Sequence, residues 1–60
     1  MNLKKGDIIS GDFWPEPIKI DLIEEYEDYI NIIGAYVRSK ERVTRSIDYS
    51  DLSNLKIIES

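Results

Sequence analysis

The chain contains no cysteine and no histidine. A disulfide is therefore excluded, and so is a zinc site of the Cys/His kind. At 60 residues the protein lies near the lower limit for folding without such staples. It reads as one domain, residues 1–60, held by one small core. Catalytic signatures are missing as well. There is no Gly-x-Gly-x-x-Gly, no phosphate loop ending in Gly-Lys-Ser/Thr and no Gly-x-Ser-x-Gly, the patterns that cradle phosphates or present a nucleophile. A non-enzyme without a cofactor is expected. No apolar run approaches the ~20 residues of a membrane span. The opening Met1-Asn2-Leu3-Lys4-Lys5-Gly6 has two lysines but no apolar segment after them, unlike a secretory signal. A cytoplasmic protein without membrane contact is expected.

Isoleucine dominates what is present. Eleven Ile, two Val and one Thr stand against a single Ala, a balance that favours strand over helix. The longest β-rich stretch, residues 17–37, reads as a bent hairpin. Its arms are 18–23 and 29–37, joined by the polar link Glu24-Glu25-Tyr26-Glu27-Asp28. By the period-two rule Ile18, Ile20 and Leu22 share one face. Ile30, Ile32 and Tyr36 share a face of the second arm, with Tyr29, Ile33 and Val37 opposite. A strand apolar on both sides belongs at the centre of a small sheet or under a covering loop. Gly34 inside it predicts a bulge or sharp bend.

The rest of the chain is arranged around this hairpin. Residues 6–10 form a short first strand. Gly11 to Pro17 is a loop in which Pro15 and Pro17 forbid helix and central ladder alike. Residues 38–41 form a turn, 42–47 a fourth strand with Val43, Arg45 and Ile47 on one face, and 48–54 one helical turn. Asp48 or Ser50 is its expected N-cap, with Tyr49 and Leu52 pointing the same way. Residues 55–58 form the last strand. This order predicts an all-β, five-stranded SH3-like barrel with one short helical turn before the last strand. An OB-like barrel would need a longer chain and a helix between strands three and four, where only four residues stand.

Formal net charge is −4, from 12 acidic and 8 basic side chains, which on average disfavours a phosphate backbone. The distribution is uneven. Asp21, Glu24, Glu25, Glu27 and Asp28 crowd the hairpin link, whereas Arg38, Lys40, Arg42 and Arg45 fall within eight positions. The acidic pairs have the chemistry to hold a hard cation, but in so small a barrel a solvated link is the simpler account, and no metal site is expected. The basic turn suits phosphates or an acidic partner, or simply blunts an edge strand. A second candidate surface is an aromatic rim of Phe13, Trp14, Tyr26, Tyr36 and Tyr49. Rings gathered at one end would stack a base, cradle a methylated cation or dock a proline-rich peptide. The plainer alternative has Phe13 and Trp14 plugging the mouth of the barrel.

The succession Gly11-Asp12-Phe13-Trp14-Pro15-Glu16-Pro17-Ile18, then Ile23-Glu24-Glu25-Tyr26-Glu27-Asp28-Tyr29-Ile30, then Ile32-Ile33-Gly34 resembles the N-terminal segment of large bacterial and archaeal helicases of the Swi/Snf type. In that family a Phe-Trp-Pro-Glu-Pro-Val-like run precedes a Gly-Asp-Tyr turn, where this chain has Glu27 in place of the Gly. No nucleotide-binding motif lies in these 60 residues, so ATPase activity does not carry over. The resemblance implies an accessory role in a DNA-translocating or defence-related machine, as an excised module or a stand-alone relative. The partners it implies are a helicase motor domain or another protein, with weak contact to DNA. A purely protein-binding module and an acidic nucleic-acid-mimicking inhibitor from a mobile element are the alternatives. A monomer is expected, although unpaired edge strands also permit a dimer.

Overall fold

The structure is a computed structural model describing residues 2–60. Five strands form one antiparallel sheet: β1 (Ile8–Ser10), β2 (Ile18–Glu25), β3 (Tyr29–Tyr36), β4 (Arg42–Asp48) and β5 (Lys56–Glu59). The order across the sheet is β4-β3-β2-β1-β5, leaving β4 and β5 as its edges. A six-residue 3-10 helix, Tyr49–Asn54, leads from β4 into β5. Asp48 occupies the expected N-cap position with extended backbone, but its side chain makes no capping bond. The open order does not mean a flat sheet. The radius of gyration is 10.4 Å, the value of roughly 10 Å expected for a compact chain of this length.

The inner face is built almost wholly from isoleucine. Ile9, Ile18, Ile20, Ile30, Ile32 and Ile47 are buried together with Trp14 and Leu55. Cross-strand partners share a face, and the pairs Ile9↔Ile18 and Ile30↔Ile47 stack these side chains into rows. Branched side chains with few rotamers lose little entropy on burial, about 0.5–1 kcal/mol each, while each gains about 1.5–3 kcal/mol from leaving water. That margin suits a domain with so little core.

One period-two expectation is overturned. Ile20 faces Gly34 and Leu22 faces Ile33, so Asp21 is an extra residue without a partner. This bulge flips the remainder of β2. Leu22 turns outward and is 51% exposed, whereas Ile23, opposite Ile32, packs against the core. The bend anticipated at Gly34 is thus real, but the inserted residue lies on the neighbouring strand. A second irregularity occurs in β5, where Glu59 faces Ile8 and Ile57 faces Ile9, leaving Ile58 over.

The first strand starts two residues later than the sequence implies. Gly6 and Asp7 bond to Ile20 through their backbones (Gly6 N–H to Ile20 O, 2.8 Å; Ile20 N–H to Asp7 O, 2.9 Å). Buried Asp7 accepts the Lys4 N–H at 3.0 Å, which satisfies its carboxylate locally.

Candidate functional site

The proposed aromatic rim does not exist as one surface. Trp14 belongs to the core, with 7% of its surface exposed. The loop that carries it folds under the sheet, because prolines at 15 and 17 keep the chain out of the ladder while the indole fills the gap beneath it. Phe13 meets Trp14 edge-on, with centroids 5.8 Å apart. Arg45 lies over the other ring, its Cζ 5.0 Å from the Phe13 centroid. Phe13 and Trp14 therefore close the core, and Arg45 closes over them. Two buried polar atoms in this loop, Trp14 Nε1 and Glu16 Oε1, have no hydrogen-bond partner among the described residues, each orphan costing about 1–3 kcal/mol.

Tyr26 and Tyr49 do come together, at the hairpin end of β2 and β3. Tyr49 donates its hydroxyl to the Tyr26 carbonyl at 2.8 Å, and its N–H reaches the Asp28 carbonyl at 3.4 Å. Tyr29, which the rim omitted, completes the group by stacking on Tyr26, with centroids 4.9 Å apart and planes 20° from parallel. All three are exposed. Tyr36 stands at the far end of β3, seven residues from Tyr29. At about 3.3 Å per residue, that is roughly 23 Å away.

Tyr36 instead lines a cavity of about 230 Å³ with Ile8, Lys19, Asp21, Ala35, Val37 and Lys40. Of the basic turn only Lys40 lines this hollow, joined there by Lys19 and Asp21. Ala35 faces Lys19 on one side and Arg42 on the other, so the three residues form a row across the sheet. The Arg42 and Lys19 backbones are then about 10 Å apart. Arg42 Nη1 lies 3.4 Å from Asp21 Oδ2, an exposed pair contributing about 0–1 kcal/mol. Lys40 is the one non-glycine among the described residues with positive φ, 67°. Its N–H closes the turn on the Tyr36 carbonyl at 2.9 Å, which fixes a strained backbone beside the cavity. Arg38 sits exposed in the same turn. Arg45 does not join it. Alternation along β4 puts Arg45 on the inner face with Ile32, opposite to Arg42.

The acidic link divides likewise. Glu24 accepts the Asn31 amide at 3.3 Å, and Asn31 in turn accepts the Ser46 hydroxyl, a polar row on the outer face. Glu25, Glu27 and Asp28 remain exposed around the tyrosines. Among the described residues no group of three carboxylates is placed to hold a metal ion, and no helix is long and apolar enough to cross a membrane.

Sequence reasoning passed over Lys19 and Tyr29. Lys19 enters the basic group only through the register of β2 on β3, which a linear charge count does not contain. The sequence assigns Tyr29 only to the second face of a two-sided strand, with Ile33 and Val37, and the tight link that brings Tyr26 back onto it creates their pairing. No protein-family model, curated protein or solved structure matches the chain.

Proposed function

We propose that the domain is a non-enzymatic accessory module on the SH3-like barrel plan, assisting a cytoplasmic helicase-type DNA-processing or defence protein through weak contacts with nucleic-acid phosphates. The antiparallel order β4-β3-β2-β1-β5, with a 3-10 helix ahead of β5, supports the plan. The run Phe13 to Pro17 supports the helicase setting. A motor domain or another protein is then the neighbour that holds the module near DNA.

The observation that carries the nucleic-acid reading is the basic hollow. Lys19 and Lys40 line it beside Asp21, and Arg42 stands in the adjoining row. Lysine acts on phosphate as a point charge, and a strand row holds several cations at fixed spacing. The contact is weak because the whole domain carries −4. Long-range attraction is absent, and the cations act within about one Debye length of 8–10 Å.

Titration of a labelled short duplex and of a single strand at two salt concentrations tests this. Lys19, Lys40 and Arg42 neutralise about two or three phosphates, Arg42 being shared with Asp21. The logarithm of affinity then falls with the logarithm of salt at a slope of about −2 to −3 on duplex. Absence of binding at low salt, or binding indifferent to salt, contradicts the proposal.

A further inference from the structure

The opposite end of the sheet carries the opposite charge. No Lys or Arg occurs between Ile20 and Ala35 or between Ser46 and Leu55. Glu25, Glu27, Asp28, Asp48 and Asp51 surround the tyrosine group there, and none of them makes an ion pair among the described residues. The tyrosines are 46% (Tyr26), 36% (Tyr29) and 43% (Tyr49) exposed. Beside them runs a small groove of about 80 Å³, lined by Leu3, Ile23, Glu25, Ile30, Tyr49 and Leu52. Exposed rings, an apolar slot and an uncompensated acidic border converge on one spot.

The geometry points to a docking surface for an arginine-rich segment of a protein partner. Charge selects the class. Five uncompensated carboxylates repel a phosphate backbone and attract a cationic chain. The stacking then selects among cations. A cage for a methylated ammonium needs rings splayed around a space, but Tyr26 and Tyr29 lie nearly parallel with centroids 4.9 Å apart, leaving no gap between them. What they present is a flat outer face. A planar guanidinium stacks on such a face and forks onto a neighbouring carboxylate, which an ammonium does not. The Tyr49 hydroxyl bond to the Tyr26 carbonyl ties the Tyr49 ring to the link, and Tyr26 and Tyr29 are already stacked on each other, which lowers the ordering cost of docking. The slot beside Tyr49 takes one small aliphatic side chain next to the arginine. This surface is separate from the basic hollow, so the two proposals fail independently.

The test is titration of the intact chain with a ten-residue peptide of alternating Arg and Val, followed by amide chemical shifts at 50 mM and 500 mM salt. Control peptides carry Lys or Glu in place of Arg. The expected result is binding of the Arg peptide with shifts confined to residues 23–30 and 48–52. The dissociation constant rises at least about tenfold at high salt, and the Lys peptide binds more weakly. Tyr26→Ala, which keeps the backbone bonds of the link, weakens binding about two- to fivefold. Glu27→Gln with Asp28→Asn, both exposed, does the same without altering the fold. Dispersed amide spectra of each variant establish that it is folded, and Tyr26→Leu is the substitute if Tyr26→Ala is not. Any of four results overturns the proposal: no binding at low salt, equal binding of the Glu peptide, shifts spread over the whole chain, or affinity unchanged in the tyrosine variant. Concentration-dependent shifts at both ends of the free protein also overturn it, because they assign the acidic end to the basic turn of a second copy.

Discussion

Gly34 and Lys19 approach so closely across the β2–β3 ladder that a side chain on Gly34 would overlap the Lys19 carbonyl oxygen. The contact is backbone, which has nowhere to retreat. It coincides with the Asp21 bulge one residue past Ile20, so the glycine and the extra residue are two parts of one bend. Gly34→Ala is expected to cost about 3 kcal/mol or more, enough to unfold a domain of this size. Urea denaturation followed by far-UV circular dichroism measures it. A loss below about 1 kcal/mol would mean that the strands do not approach in this way.

The bulge also sets which neighbour is inside. Leu22→Thr is expected to shift stability by no more than about 0.5 kcal/mol, as an outward residue does. Ile23→Ala loses packing against the core and costs about 2 kcal/mol. Paired denaturation curves decide between this register and the unbroken alternation that the sequence implies, for which the two effects would be reversed.

Lys40 separates folding from binding. Its left-handed backbone costs a lysine about 1–2 kcal/mol that glycine does not incur. Lys40→Gly is therefore expected to leave stability unchanged or raise it by about 1 kcal/mol, while removing one cation from the hollow and flattening the salt slope on duplex by about one. Loss of DNA binding together with loss of stability would show that the turn serves the fold alone.

Trp14 answers to packing, not to ligand. Trp14→Ala is expected to cost about 3–5 kcal/mol and to unfold the domain. Trp14→Phe discards the unpaired indole N–H along with part of the ring, and these effects offset to within about 1 kcal/mol. Circular dichroism during urea denaturation, which needs no tryptophan signal, reads both. Equal damage from the two variants would mean that the indole nitrogen has a partner.

The strand content was legible because eleven Ile stand against a single Ala, and the link at 24–28 stood out by charge alone. All five strands and the helical turn fall within a residue or two of their expected places. The face of Leu22 was not legible. The bulge goes with a close approach of two backbones, at Lys19 and Gly34, and the alternation of Ile18, Ile20 and Leu22 carries no trace of it. The sites divide for a related reason. Arg42 and Arg45 are three apart in sequence, yet a strand turns them to opposite faces, so a charge run read along the chain overstates what gathers in space. Conversely, Lys19 and Arg42 are distant in sequence and meet only through Ala35. The tyrosine group sits between these cases. Tyr26 and Tyr49 were singled out as exposed aromatics, but their grouping with Tyr29 depends on how the 3-10 helix lies against the link.

Amide chemical-shift mapping of the intact chain with a short DNA duplex tests the central claim most directly, because it reports contact and position together. Shifts are expected at Lys19, at residues 36–42 and nowhere around Tyr26, Tyr29 and Tyr49, and they should fade as salt is raised. Shifts centred on the tyrosine end, or none at 50 mM salt, would contradict the account.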